Sequence, residues 1–150
     1  MGTVKASARV PLSPEQAVSL WRDPSRWPSF VEGLQRIEQQ SSDWPGEGAK
    51  VVWQSGAGGR GRVTEKVTES SAASFATQVF EERLTASQSC RAVEDANGSL
   101  VELSLAYELT GGSPLRGLTD LLFIRRALRE ALERTLRRYA VEAEDEAGVR

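Results

Sequence analysis

The chain has no histidine, one cysteine and only three lysines among its 150 residues. The lack of histidine excludes catalysis by a Ser/His or Cys/His pair, and any metal site that needs a histidine ligand. The single cysteine, Cys90, excludes an internal disulfide and is typical of a protein in a reducing compartment. If the protein is an enzyme, its chemistry must use carboxylates, Tyr, Arg, Lys or a positioned water. We predict no cofactor and no metal.

Apolar runs long enough to span a membrane are also lacking, as is an apolar N-terminal stretch of the kind that forms a secretion signal. We therefore expect a cytoplasmic protein without a membrane span. The length predicts one domain that covers residues 1–150. We expect the protein to be a monomer or a homodimer. The formal net charge of −2 argues against nucleic acid as a partner.

The stretch GAGGRG at residues 56–61 matches the G-x-G-x-x-G pattern of dinucleotide-binding domains. That pattern binds phosphate only where a strand leads into it and a helix follows, because the pyrophosphate sits at the helix N-terminus. Here the residues before the glycines are typical of a strand, and residues 62–69 alternate polar and β-branched side chains, which indicates a second strand. The glycines are therefore predicted to join two antiparallel strands and to have no affinity for a nucleotide.

The N-terminal part of the chain predicts a strand and two short helices. Residues 4–10 alternate as a strand with one buried face. Ser13, Pro14 and Gln16 supply an N-cap, a first-turn proline and a capping box for the first helix. A second short helix follows and ends before the next strand.

From residue 34 to about 110, alternating runs separated by turn signals predict about six antiparallel strands. Asn97-Gly98 is the strongest hairpin signal among them. The strand after it places its apolar side chains on one face: Val101, Leu103, Leu105, Tyr107 and Leu109. A long helix is predicted from Pro114 to about Glu142, with a disordered tail from about residue 143.

This order of elements resembles the helix-grip fold of the START/Bet v 1 (SRPBCC) superfamily. The local sequence resembles its bacterial polyketide cyclase/dehydrase-type members in the stretches Pro11-x-x-Pro14-Glu15-x-Ala17-Val18, Trp27-Pro28-x-Phe30-Val31 and Gly48-Ala49-Lys50-Val51-Val52-Trp53. The resemblance implies an α+β fold in which a curved antiparallel sheet of about seven strands wraps around the long C-terminal helix.

The resemblance also implies an internal cavity between the sheet and the long helix, holding an apolar or aromatic small molecule. The small side chains of the strands at residues 72–78 and 85–92 give this independent support, because they are predicted not to fill the space beneath the helix at normal density. The alternative is a dry core that the long helix and the tryptophans fill.

The strand and helix periods assign most of the candidate ligand contacts, and the implied cavity mouth adds Trp27 and Phe30, which are either gate residues or packing residues. Trp53 looks inward by its strand period and is either pocket wall or core. Arg125 falls inside the apolar arc of the long helix, where it either meets a carboxylate, a ligand anion or water, or extends outward to solvent. Glu65 shares a strand face with two valines, and it is either the partner of Arg125 or solvated. Tyr107 either donates a hydrogen bond to the ligand or belongs to the core. The full set is Trp27, Phe30, Trp53, Glu65, Leu103, Leu105, Tyr107, Leu121, Arg125 and Leu128.

Three functions fit these predictions. The first is a carrier or binding protein for a small hydrophobic molecule of the polyketide, lipid or quinone kind. The second is a polyketide cyclase/aromatase-type enzyme that works by positioning and hydrogen bonds, without histidine or metal. The third is a protein-partner module that uses the seven arginines from Arg116 to Arg138, although a general arginine bias also explains them. We favour the first.

Overall fold

The structure is a computed structural model and describes residues 2–57, 59–110 and 118–148. Its elements, in chain order, are β1 (Gly2–Val10), α1 (Pro14–Trp21), α2 (Trp27–Phe30), β2 (Leu34–Gln40), β3 (Lys50–Ser55), β4 (Arg62–Ser70), β5 (Ser74–Phe80), β6 (Leu84–Asp95), β7 (Gly98–Leu109) and α3 (Leu118–Ala147).

The seven strands form one antiparallel sheet in the order β1-β7-β6-β5-β4-β3-β2. The register shifts between β4 and β5 after Val67, and twice between β2 and β3. Such irregularities bend a strand and increase its twist, so they contribute to a curved sheet. The predicted α+β helix-grip fold, with two short helices after the first strand and a long C-terminal helix, is confirmed.

The start of α1 is the capping box that the sequence predicts. The Ser13 hydroxyl accepts a hydrogen bond from the backbone N–H of Gln16 at 3.2 Å, and the Gln16 side chain accepts one from the Ser13 N–H at 3.0 Å. Pro14 occupies the first turn, where it loses no intrahelical hydrogen bond. This short helix therefore has a fixed start, and its last residue, Trp21, is buried in the core.

Both glycine-containing connections link antiparallel strands, as predicted. The GAGGRG segment leads from β3 into β4, and its neck is closed by the Gly61 N–H, which donates to the Ser55 hydroxyl at 2.8 Å. In the β6–β7 hairpin, Gly98 pairs with Asp95 and lies directly against the carbonyl of Val10. A side chain at residue 98 would collide with that backbone oxygen, so this close approach requires glycine.

Helix α3 crosses the sheet with two differently packed parts. In its anchored half (residues 136–147), Leu136, Tyr139 and Ala143 are buried against the core. In its cavity half (residues 121–135), Leu122 and Phe123 are exposed, at 58% and 72%. The predicted start at Pro114 lies outside the described residues.

The end of α3 differs from the sequence prediction, which placed a disordered tail from about residue 143. The helix continues to Ala147. Arg26, just before α2, explains the difference, because its guanidinium pairs with Glu142 at 2.8 Å and with Glu146 at 2.6 Å. Together with the buried Ala143, these tertiary contacts hold a stretch whose own composition is typical of a solvated tail.

An aromatic cluster fills the core beneath the anchored half. Trp21 stacks on Phe30 with ring centroids 5.6 Å apart, and Tyr139 packs edge-on against both rings. The Tyr139 hydroxyl donates to the carbonyl of Ala17, which ties α3 to α1. Cys90 is also fully buried as a free thiol, and burial raises its pKa well above the usual range.

Candidate functional site

A cavity of about 90 Å³ lies between the sheet and the cavity half of α3. Its walls are mainly aromatic and aliphatic: Trp21, Trp27, Val31, Trp53, Leu84, Leu105, Leu128, Ala131 and Leu132. Its polar lining consists of Glu32, Arg60, Glu65, Gln88 and Thr135. Apolar walls with a few polar groups are the usual composition of a small-molecule site.

The sheet side of the cavity carries a buried carboxyl group. Glu65 on β4 is 6% exposed, and its Oε2 accepts a hydrogen bond from the indole N–H of Trp53 at 2.9 Å. Its Oε1 accepts one from the hydroxyl of Thr77 at 3.0 Å. Burial raises the pKa of Glu65 because the charged form loses its hydration, and the two hydrogen bonds and the charge of Arg60 only partly offset this effect.

Arg60 covers the edge of the cavity from the glycine connection. Its guanidinium carbon lies 5.1 Å from the ring centroid of Trp53, in cation–π geometry. Its Nε donates to Oε2 of Glu81 at 2.7 Å. The connection that resembles a phosphate-binding loop therefore contributes an arginine to the cavity wall, and this arginine already has a carboxylate partner.

On the helix side, Glu32 joins the segment after α2 to α3. Its backbone N–H donates to the Thr135 hydroxyl at 2.9 Å, and its Oε1 accepts from Nε of Arg134 at 3.0 Å. Arg138 adds an ion pair with Oε2 of Glu32 at 2.9 Å. Three contacts therefore hold the segment after α2 to α3 beside the cavity.

Five of the ten predicted ligand-contact residues line the cavity: Trp27, Trp53, Glu65, Leu105 and Leu128. They come from three strands and two helices, so the fold brings together residues that are far apart in sequence. Their role in ligand binding remains a prediction.

The other five predicted residues lie elsewhere. Phe30 and Leu103 are fully buried packing residues. The hydroxyl end of Tyr107 lies close to Gly2, at the edge of the sheet, rather than in the cavity. Leu121 is 37% exposed in the cavity half of α3.

Arg125 does not line the cavity, and Glu65 is neither its partner nor solvated. Glu65 is bonded to Trp53 and Thr77, and within the described residues no carboxylate forms an ion pair with Arg125. Arg125 instead borders a shallow depression on the outer surface with neighbouring charged residues of α3. The alternative from the sequence, an arginine that extends outward, describes its position.

Sequence reasoning missed several lining residues. Gln88 carried a usable signal, since the period of β6 places it inward between Ala86 and Cys90, where a polar side chain is unusual. Arg60 carried none, because no period assigns the direction of a residue in a connection. The small residues of β5 and β6 that suggested a cavity are not in its lining.

Within the segments that the structure describes, no helix is long and apolar enough to cross a membrane. Within the same segments, no group of three or more potential ligands is arranged to hold a metal ion.

Comparison with known proteins gives a family and a fold. The family described as polyketide cyclase / dehydrase and lipid transport matches residues 1–144. A structure from Thermus thermophilus matches with a TM-score of 0.79 and 19% identity, covering 97% of this chain and 99% of that chain. The Zhui aromatase/cyclase from Streptomyces sp. R1128 matches with a TM-score of 0.79 and 13% identity, covering 97% of this chain and 95% of that chain.

A START superfamily protein from Mycobacterium smegmatis matches with a TM-score of 0.76 and 15% identity, covering 95% of this chain and 97% of that chain. At these identities the structural likeness shows the fold alone. No curated protein matches the chain.

Proposed function

Because the chain belongs to the polyketide cyclase / dehydrase and lipid transport family, we propose that it binds a small hydrophobic or aromatic molecule of the polyketide, lipid or quinone kind in its internal cavity. We propose that it acts as a carrier or binding protein in the cytoplasm. The observation that carries the proposal is the cavity itself, whose apolar walls surround a few polar groups.

The cavity is too small for a ligand of this kind unless the fold changes. At about 90 Å³ it is smaller than the roughly 150 Å³ that accommodates benzene in an apolar protein cavity. A larger ligand therefore requires one wall to move. The start of the cavity half of α3 is the best candidate, because Leu122 and Phe123 are exposed there, whereas Glu32 holds the end of this half at Arg134 and Thr135. We propose that the start of this half moves outward when the ligand binds.

A cyclase- or dehydrase-type enzyme is the second candidate, and Glu65 is the observation that favours it. A buried carboxyl group with a raised pKa, facing an apolar cavity, is suited to hold a proton and to transfer it to or from a bound molecule. Such a reaction needs neither histidine nor metal.

The arginine-rich face of α3 supports a partner-binding function less well. Arg134 and Arg138 are already paired with Glu32 of the same chain. These two arginines therefore hold the segment after α2 to the helix instead of being available to a partner.

The proposal is tested by thermal unfolding with a panel of aromatic, sterol, quinone and fatty-acyl ligands. A ligand that binds the folded state raises the melting temperature in a concentration-dependent way. Ala131→Phe, which places a ring in the cavity lining, should abolish that rise.

Ala127→Phe is the matched control, because residue 127 lies one turn earlier on an exposed part of the same helix. It should keep the response to ligand. If no ligand of the panel raises the melting temperature of the unmodified protein, the interior is a dry core and the proposed function is wrong.

A further inference from the structure

The hydrogen-bonding capacity of Glu65 is only half used. An ionised carboxylate offers about four lone-pair sites. Two of them accept hydrogen bonds, from the Trp53 indole and the Thr77 hydroxyl. Because Glu65 also lines the cavity, its remaining capacity meets whatever molecule occupies that space.

The charges around the cavity disfavour an anionic ligand. The arginine in the described lining is internally paired, since Arg60 bonds to Glu81. An anion would thus meet the carboxylate of Glu65 without an unpaired cation among the described lining residues.

A cationic ligand is also disfavoured, because it would lose its hydration between walls that are mainly aromatic and aliphatic. The raised pKa of Glu65 shows that the same walls disfavour a charged group on the protein side. A neutral molecule with a hydrogen-bond donor avoids both penalties.

We propose that the cavity selects neutral aromatic molecules that carry a hydroxyl group, with the hydroxyl donating to Glu65 and the ring packing between Trp53, Leu105 and Leu128. The inference rests on the proposed function, whose ligand it narrows to phenol-like compounds. A hydroxyl group both donates and accepts, so it pairs with the carboxylate and with the protonated acid alike. This suits a carboxyl group whose pKa is raised by burial.

The contribution of the hydroxyl is measured by calorimetric titration of the full chain with three small probes: phenol, benzene and benzoate. The quantity compared is the ratio of the benzene dissociation constant to that of phenol. A hydrogen bond to a charged group contributes enough to change a dissociation constant about tenfold. We therefore expect Glu65→Leu to lower this ratio about tenfold, and Glu65→Gln to lower it less, since an amide oxygen still accepts.

Glu69→Gln is the control, because it makes the same change at an exposed position of β4. It should leave the ratio unchanged. Using both Glu65→Gln and Glu65→Leu guards against one variant that fails to fold, because the amide retains an acceptor for Trp53 and a donor for Thr77.

The outcomes separate the two proposals. If phenol and benzene both bind and the Glu65 variants leave the ratio unchanged, the hydroxyl is recognised elsewhere and the inference is wrong, while the cavity function stands. Benzoate binding more tightly than phenol would also overturn the inference. If none of the probes binds and the larger ligand panel fails as well, the proposed function itself is lost.

Discussion

The two halves of α3 differ in what lies beneath them. Under the anchored half, Tyr139 contacts the rings of Trp21 and Phe30 with centroid separations of 5.7 and 5.4 Å. Under the cavity half, Leu128 faces open space, with Glu65 among the residues on the far wall. One continuous helix therefore serves as a packed core element over its second half and as the cover of a cavity over its first.

The difference assigns stability and ligand binding to separate parts of the same element. Close packing makes core positions sensitive to the loss of even one methylene group. A wall that borders a cavity has fewer packing partners to lose, and it can move at lower cost in free energy. This comparison predicts that substitutions along the helix and beneath it fall into two classes.

The largest expected effect comes from two phenylalanines, one in each region. Phe30→Ala should lower the free energy of unfolding by about 3–5 kcal/mol, because it removes a fully buried ring from the aromatic cluster. Phe123→Ala should change it by only about ±0.5 kcal/mol, because that ring is 72% exposed. Urea denaturation of both variants measures the contrast, and similar losses would show that the cavity half is packed as tightly as the anchored half.

A smaller, pH-dependent effect is expected at Glu65. Because its folded-state pKa is raised, the folded protein binds more protons than the unfolded chain just above the ordinary pKa of glutamate. The contribution of Glu65 to stability is therefore fully present at acidic pH and is lost as pH rises through the folded-state pKa, with a slope of at most about 1.4 kcal/mol per pH unit.

Glu65→Gln removes this titration, so the variant should gain stability relative to the unmodified protein as pH rises from about 4 to 8. The free energy of unfolding measured across that range checks the sign. Glu69→Gln, at an exposed position of the same strand, should run parallel to the unmodified protein. If the variant instead loses stability relative to the unmodified protein as pH rises, Glu65 is stabilised as a carboxylate.

The smallest effect is expected at Arg125. Since it borders the outer surface, Arg125→Met should change the free energy of unfolding by about ±0.5 kcal/mol. The variant should also bind anionic and neutral ligands in the same proportion as the unmodified protein. If titration calorimetry shows that the variant loses affinity for anionic ligands only, Arg125 does contact the bound ligand.

The sequence predicted the fold well because its signals were local and mutually consistent. The capping box of Ser13 and Gln16 set the start of α1, and alternation in residues 101–109 identified the inward face of β7. The end of α3 was missed because the ion pairs of Glu142 and Glu146 with Arg26 connect residues more than a hundred positions apart.

The site was predicted less completely, for two physical reasons. The helical period predicted an inward-facing arc that included both Leu121 and Arg125. The residues of α3 that pack on the core and the cavity are instead Ile124, Leu128 and Leu132. Arg60 was not assigned to the cavity, because a residue in a glycine-rich connection takes its direction from tertiary contacts such as Glu81.

The burial of Cys90 has a practical consequence for labelling chemistry. Alkylating reagents attack the thiolate, which is scarce when the thiol is buried and its pKa is raised. The Cys90 thiol should thus not react while the fold is intact. It should react only when the core opens, so its alkylation rate measures the rate of global unfolding. A cysteine introduced at the exposed position of Phe123 would react at once and carry a spectroscopic label by itself. The alkylation rate of Cys90 would then report the opening of the core, while the label at residue 123 reports movement of the cavity half in the same molecule.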